Sequence, residues 1–125
     1  MGRLPFSQEK LEQMENPKYV MSKDAAGKFR FILRAVNGEP ILNASEGYNS
    51  RTDCLTAISS CQANSPFDSR YERKQGITGK YFFVLKAANG QVIGVSESYD
   101  TSAGRDNGIE ACKRDGPTYR IEDLS

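Results

Sequence analysis

The sequence contains no histidine, no tryptophan and only three cysteines among its 125 residues. Without histidine, the chain cannot form a Ser-His-Asp or Cys-His catalytic system, and a zinc site would have to use cysteine and carboxylate ligands alone. No stretch approaches the roughly 18 apolar residues of a membrane span, and the N-terminal residues lack the apolar run of a signal peptide. The 17 Lys and Arg nearly balance the 16 Asp and Glu, so the net charge of +1 gives little attraction to nucleic acid or anionic membranes. We therefore expect one globular domain without a cofactor, a metal or a membrane association.

The three cysteines are Cys54, Cys61 and Cys112. Cys54 and Cys61 fall in one predicted helix, where the 1.5 Å rise per residue places their Cα atoms about 10 Å apart, too far for a disulfide. Cys61 and Cys112 lie on the apolar stripes of two predicted helices. We therefore expect both to be buried, and Cys54, nearer the helix start, to be less protected. An odd number of cysteines without a secretory signal favours a reducing compartment, so we expect a cytoplasmic protein.

An internal repeat covers most of the chain. The segment GKFRFILRAVNG at residues 27–38 recurs as GKYFFVLKAANG at residues 79–90, an offset of 52. Farther along the chain the offset falls to 51, which we attribute to an extra residue near residues 42–44 of the first copy. Because the agreement extends over about fifty residues, we interpret the sequence as a duplicated unit. On this alignment a Ser-Glu-x-Tyr segment occurs in each copy, at Ser45, Glu46 and Tyr48 and at Ser96, Glu97 and Tyr99.

Each repeat is predicted to contain three strands, a helix and one further strand. Large apolar residues alternate with charged ones along residues 28–36, the period of two that is typical of a strand. In the first copy, the first strand is predicted at residues 18–22, and a third strand follows the turn and ends at residue 41. Asn37-Gly38 and its copy Asn89-Gly90 predict two-residue hairpins with type I′ turns, because both central positions of that turn need a positive φ.

A helix is predicted after the third strand of each copy. In the first copy, residues 50–53 supply capping side chains and residues 64–66 a stop. The second helix is predicted at residues 103–113, before a last strand at residues 119–124. Ahead of the repeats, residues 7–14 could form a short, marginal helix in an otherwise flexible extension. The predicted organisation is an N-terminal extension at residues 1–17, a first repeat at residues 18–69 and a second repeat at residues 70–125, with the two repeats forming one domain.

The paired Ala-x-Asn-Gly turns, the Ser-Glu-x-Tyr segments and the Arg-Asp-Asn-Gly-Ile sequence at residues 105–109 resemble the YegP-like tandem-repeat proteins. The resemblance implies an α+β fold in which two tandem β(3)-α-β repeats form a single antiparallel sheet. It also implies that both helices lie on one face and that C-terminal strands are exchanged between repeats. The family has no known function and no assigned catalytic residues, so the resemblance implies no site residues. The chain departs from the family pattern at Pro40 and at residues 55–57, which blurs the expected cap of the first helix.

Alternation along the central strands defines the two faces of the predicted sheet. The large apolar set should be covered by the helices: Phe29, Phe31, Leu33, Tyr81, Phe83 and Leu85. Two helices are few for a broad sheet, so we expect the opposite face to be open. Its mixture of basic and apolar residues is the candidate binding surface: Arg30, Ile32, Arg34, Phe82, Val84 and Lys86. The alternative interpretation is that the long basic side chains simply cover the apolar ones.

The repeated Ser-Glu-x-Tyr segments combine a hydroxyl, a carboxylate and a phenol, which would suit a polar ligand or acid–base chemistry. The alternative is structural: a serine cap, a solvated glutamate and a tyrosine at the edge of the core. Because the sequence offers no nucleophile–base pair, we do not expect an enzyme. Three functions remain open. They are a protein-interaction module using the open sheet face or edge, a weak single-stranded nucleic-acid binder using the same face, and a small-molecule binder or enzyme at the repeated polar positions. We favour the interaction module, acting on a protein partner as a monomer or weak homodimer.

Overall fold

The computed structural model describes residues 15–125, so the predicted helix at residues 7–14 lies outside the described residues. The first repeat contains three strands and a helix: β1 (Lys18–Lys23), β2 (Phe29–Arg34), β3 (Pro40–Ala44) and α1 (Arg51–Asn64). A short 3-10 helix, Asp68–Arg70, leads into the second repeat. The second repeat contains β4 (Tyr71–Gln75), β5 (Tyr81–Lys86), β6 (Val92–Ser96), α2 (Ser102–Asp115) and β7 (Ile121–Asp123).

The strands form one sheet in the order β4-β5-β6-β3-β2-β1-β7. β3 and β6, one from each repeat, pair at its centre. α1 packs against β2, β5 and β6, and α2 packs against β3 and β5, so each helix contacts strands of both repeats. These contacts confirm the expected α+β fold, in which two repeats share one sheet and both helices cover the same face.

The core lies between this face and the helices. Phe31, Leu33, Phe83 and Leu85 are at most 1% exposed and belong to one cluster with helix residues such as Ile58. The prediction that this alternating set faces the helices is therefore confirmed. The two members nearest the strand starts are only partly covered, namely Phe29 and Tyr81.

A pseudo-twofold axis passes through the pair formed by Asn43 in β3 and Val95 in β6. On either side of this pair, Leu42 lies opposite Ser96 and Ala44 lies opposite Gly94, so the two strands correspond at an offset of 52. Because Ala44 corresponds to Ser96, Ser45 does not. The predicted place of the extra residue, residues 42–44, is therefore wrong, and it lies within residues 45–47.

The helix C-termini meet close to each other, each beside a tyrosine of a strand. Tyr19 in β1 donates a hydrogen bond to the carbonyl of Gly116 after α2 (2.8 Å), and Tyr71 in β4 donates one to the carbonyl of Ser65 after α1 (2.6 Å). A Cβ atom at Gly116 would lie 2.4 Å from Cβ of Ser65, so only glycine permits this approach. The paired contacts tie both helices to the first strands of the repeats.

The hairpins differ from the predicted type I′ turns. At the β2–β3 hairpin, Gly38 N–H donates to the carbonyl of Ala35 and Ala35 N–H donates to the carbonyl of Glu39, each at 2.8 Å, which encloses a three-residue loop. Gly38 has a φ of +86°, whereas no residue other than glycine has a positive φ within residues 15–125. This is the geometry of a type I turn followed by a left-handed glycine. Asn37 contributes its side-chain oxygen, which accepts from Glu39 N–H, rather than a positive φ.

The sheet also differs from the expected antiparallel arrangement at one edge. β7 pairs with β1 from the first repeat, as strand exchange implies, but it runs parallel to β1, with Ile121 opposite Tyr19. The reason is that α2 ends beside Tyr19, where β1 itself begins, so the chain enters β7 at the same end of the sheet. The described chain has seven strands rather than the eight of two complete β(3)-α-β repeats. β4 follows the short 3-10 helix directly and serves as the first strand of the second repeat.

Both helices are capped, and all three cysteines pack beneath them. Ser50 and Thr101 accept hydrogen bonds from Asp53 N–H and Gly104 N–H, each at 3.0 Å, so the departures at residues 55–57 do not remove the cap of α1. The predicted burial of the thiols is confirmed, but Cys54 is not less protected: it is 0% exposed, as are Cys61 and Cys112. Neither helix of the described chain is long and apolar enough to cross a membrane.

Candidate functional site

The open face is the side of the sheet opposite the helices. Strand register places one residue from each of the strands β1 to β6 in a row across this face, and Glu122 of β7 lies beside Val20 at one end. The row is apolar except for one amide near its middle and one carboxylate at its end: Val20, Ile32, Asn43, Val95, Val84 and Glu72. Among the described residues, neither α1 nor α2 covers this row, so this face of the sheet has an apolar centre on the side away from the core.

The predicted surface residues all lie on the open face, but in two groups. Arg30, Ile32 and Arg34 belong to β2, whereas Phe82, Val84 and Lys86 belong to β5. β3 and β6 separate these strands, so the groups are about 14 Å apart at the usual strand spacing. Sequence reasoning missed the two residues that connect these groups, Asn43 in β3 and Val95 in β6, and also Val20, which extends the row beyond β2. Alternation along β1, where Tyr19 and Met21 are buried on either side of Val20, could have identified Val20.

Most basic side chains on the open face are held by a neighbour. Lys74 and Lys86 both pair with Glu72, and these contacts lower the pKa of the Glu72 carboxyl, chiefly through the hydrogen bond from Lys86. Arg30 pairs with Asp24 at 2.7 Å, and Arg34 donates to the carbonyl of Gly38 at 3.1 Å. The face therefore carries paired charges around its apolar row.

The solvent exposure of the apolar side chains on the open face shows which of them a partner could contact. Val84 lies beside Glu72 in the register and two residues from Lys86, and it is only 5% exposed. Val84 therefore contributes little to an accessible surface. Ile32, Phe82, Val20 and Val95 remain partly exposed, so a shallow apolar patch persists on both sides of the central strands.

The Ser-Glu-x-Tyr residues do not converge on one site. The serine hydroxyls bind backbone groups instead: Ser45 donates to the carbonyl of Val92 (3.2 Å), and Ser96 accepts from Phe83 N–H (2.9 Å). Glu46 is exposed, and the Glu97 carboxylate accepts from Nδ2 of Asn43 at 2.6 Å. No nucleophile–base pair forms among these six residues.

The two tyrosines of these segments are equivalent in structure. Tyr48 pairs through its backbone with Phe29, and Tyr99 pairs in the same way with Tyr81. Burial raises the pKa of both phenols, so both stay neutral. The Tyr99 ring lies against α2, where a Cβ atom at Gly108 would be 2.3 Å from the Tyr99 hydroxyl. Both rings therefore form part of a wall between a strand end and a helix.

Two equivalent clefts lie beside these tyrosines, each formed by a hairpin of one repeat and the helix of the other. The first cleft, of about 710 Å³, lies between the β2–β3 hairpin and α2, and the second, of about 370 Å³, lies between the β5–β6 hairpin and α1. Repeat-related residues line both clefts: Ala35 and Ala87, Asn37 and Asn89, Ile41 and Ile93, Tyr99 and Tyr48, Gly108 and Ala57. Sequence reasoning missed both clefts, because each combines residues of different repeats.

The carboxylates around the clefts differ from most others in the protein. Within residues 15–125, four carboxylates form no ion pair, and three of them line a cleft: Glu39 and Glu97 the first, and Asp53 the second. Arg114, the basic residue of the first cleft, is already paired with Asp115 at 2.9 Å. Both clefts therefore have an excess of negative charge over an apolar lining. No group of metal-ligating side chains is assembled in the described part of the chain.

Comparison with known proteins gives one family and several close relatives. The family model "Domain of unknown function (DUF1508)" matches residues 24–72 and again residues 78–123. The UPF0339 protein in the ptx operon 5′ region of Stutzerimonas stutzeri is 48% identical over 101 residues, which covers 81% of this chain and 90% of that protein. The UPF0339 protein YegP of Escherichia coli K12 is 44% identical over 105 residues, covering 84% and 94%. The solution NMR structure of a UPF0339 protein from Shewanella oneidensis superposes with a TM-score of 0.79 at 42% identity, covering 85% of this chain and 89% of that one.

Proposed function

The chain belongs to the DUF1508 family, whose function is unknown. We propose that it is a non-enzymatic module that binds a partner protein on its open face. The observation that carries the proposal is the apolar row across the open face, which neither helix covers. Partly exposed Val20, Ile32 and Val95 form its accessible part, and partly exposed Phe82 lies beside it in β5. An apolar centre with a charged rim is the usual anatomy of a protein–protein interface.

The charges around the row favour a protein over a nucleic acid. Arg30, Lys74 and Lys86 are each paired with a carboxylate of the same face, so a phosphate would have to displace that carboxylate. A partner protein can leave these pairs intact and cover the apolar row between them. Within residues 15–125 the Arg34 guanidinium donates to one backbone carbonyl, that of Gly38, and a partner carboxylate would complement its charge.

A non-enzymatic role is supported by the arrangement of the polar residues. The hydroxyls of Ser45 and Ser96 are engaged by the backbone, and the six Ser-Glu-x-Tyr residues do not meet. We also propose a reducing compartment such as the cytoplasm, because Cys54, Cys61 and Cys112 are free thiols.

The test uses paired variants of the full chain. Phe82→Ser with Arg34→Glu places a polar residue and a negative charge on the open face. The matched control, Phe67→Ser with Lys23→Glu, makes a similar change away from this face, at a phenylalanine that is 55% exposed and at a lysine whose ammonium lies over the Phe29 ring. Amide NMR spectra establish that both variants keep the fold.

Affinity capture with the wild-type chain and both variants then measures binding. A partner retained by the wild type and the control, but lost with Phe82→Ser/Arg34→Glu, supports the open face as the binding surface. A partner that all three chains capture equally contradicts the proposal. If capture instead requires nucleic acid and weakens steeply with salt, the nucleic-acid alternative replaces it.

A further inference from the structure

The two clefts are a feature that the open-face proposal does not use. They lie on the helix side of the sheet and are repeated by the pseudo-twofold symmetry. Their walls combine three kinds of group: an apolar lining, a partly buried tyrosine ring and carboxylates without an ion-pair partner in the described chain. A cation carried on an aliphatic stem fits all three, because the stem packs on apolar surface while the cation contacts the ring face and the carboxylate.

We propose that each cleft binds an arginine side chain of a partner polypeptide. A guanidinium can stack on a tyrosine ring and donate two parallel hydrogen bonds to a carboxylate, which the compact ammonium of lysine cannot do equally well. In the first cleft the tyrosine is Tyr99 and the carboxylates are Glu39 and Glu97; in the second they are Tyr48 and Asp53.

A polypeptide fits the first cleft better than a free small cation does. Its volume of about 710 Å³ leaves room for residues on both sides of one arginine. The β2–β3 hairpin supplies an apolar wall for such neighbours through Val36, Pro40 and Ile41. The second cleft, at about 370 Å³, has less room and a single carboxylate, Asp53, which the repeat does not relate to Glu39 or Glu97, so we expect weaker binding there.

The carboxylates already have partial structural roles, which determine the choice of variants. Asp53 lies in the first turn of α1, where its charge favours the helix, and Glu97 accepts from the Asn43 amide. Glutamine can keep the contact of Glu97 while removing its charge. Glu46 is the fourth carboxylate without an ion pair among residues 15–125, and it lines neither cleft. Glu46→Gln is therefore the matched control.

The experiment is an NMR titration of the full chain with the peptide acetyl-Leu-Arg-Leu-amide. The comparison peptide contains citrulline, a neutral isostere, in place of arginine. We expect the arginine peptide to shift the amide signals of Gly108 and Ala111 at the first cleft, and more weakly those of Ala57 and Ser60 at the second. Glu39→Gln with Glu97→Gln should weaken binding at the first cleft about fivefold or more, leave the second cleft unchanged, and leave the spectrum folded. Glu46→Gln should bind as the wild type does.

Each other outcome overturns the proposal in a specific way. Equal binding of the citrulline peptide would show that charge recognition is absent. Shifts confined to open-face residues such as Ile32 would place the peptide elsewhere, and no shifts at all would leave the clefts without this ligand. If N-acetyl-arginine amide binds as tightly as the peptide, the clefts accept a small organic cation, and the polypeptide assignment is wrong. The open-face variants change Phe82 and Arg34, which line neither cleft, so the two proposals are tested independently.

Discussion

Gly94 and Leu42 offer a direct test of the shared core. They occupy equivalent positions of β6 and β3, and a Cβ atom at Gly94 would lie 2.7 Å from Cδ2 and 2.8 Å from Cγ of Leu42. Leu42 is 0% exposed and surrounded by the core, so it has little room to move. The second repeat therefore uses glycine where the first uses leucine, because both side chains would compete for one space.

The expected magnitudes follow from these contacts. Gly94→Ala overpacks the core at a cost of about 1–3 kcal/mol, partly offset by the gain of about 0.5–1 kcal/mol from removing a strand glycine. Leu42→Ala leaves a cavity and should cost about 2–5 kcal/mol. In the double variant the alanine at position 94 enters the space that Leu42 vacates. The free energy of unfolding that the double variant loses should then be smaller, by about 1–3 kcal/mol, than the sum of the losses in the two single variants.

Urea unfolding of the full chain measures these free energies. Gly76→Ala is the control, because the nearest atom to a Cβ there is 3.7 Å away, and it should be neutral or slightly stabilising. Additive effects of Leu42→Ala and Gly94→Ala, within about 0.5 kcal/mol, would refute the packing argument, because independent sites add within that margin.

Three further effects should be measurable. The Asp123 carboxyl has a pKa lowered to about 2 by the Ser125 hydroxyl and N–H and by Arg51, so its charge stabilises β7 above about pH 4, and this stabilisation is lost as the pH falls towards 2. Hydrogen-exchange protection factors of the β7 amides, corrected for the intrinsic pH dependence of exchange, should therefore fall over this range, and constant protection factors would contradict the prediction. Gly116→Ala should lower the free energy of unfolding by at least about 2 kcal/mol through its clash with Ser65, and an unchanged urea midpoint would exclude that contact. Burial raises the pKa of the thiols of Cys54, Cys61 and Cys112, to about 12 for Cys112, so a thiol reagent should label them slowly at neutral pH. Rapid labelling of the folded chain would contradict their burial.

Much of the fold was predictable because the same sequence pattern of strands, turns and a helix occurs in both repeats. Alternation along β2 and β5 correctly separated the buried face from the open one, and the helix signals located α1 and α2. The turn type was not predictable, because Asn-Gly fits both a two-residue I′ loop and a three-residue loop in which only Gly38 needs a positive φ. The direction of β7 depends on where α2 ends beside Tyr19, and no local pattern contains that information.

The candidate sites were predictable to a smaller extent. Periodicity placed Arg30 and Phe82 on one face, but strand order, a tertiary property, separates their strands by two others. The recurrence of Ser-Glu also misled the alignment, since identical residues need not be equivalent once one copy contains an insertion. The clefts were not predictable, because each brings together a hairpin and a helix that lie in different repeats.

We expect the two repeats to fold only together, as one sheet with one core. Residues 18–69 alone would carry β1, β2, β3 and α1, and would expose the β3 edge that β6 covers in the full chain. Sedimentation velocity measures the oligomeric state of this fragment and amide NMR shows whether it is folded, so together they test this expectation. We predict either an unfolded chain or a dimer in which β3 of a second copy replaces β6 at the pseudo-twofold axis. A folded, monomeric fragment with dispersed amide signals would contradict it.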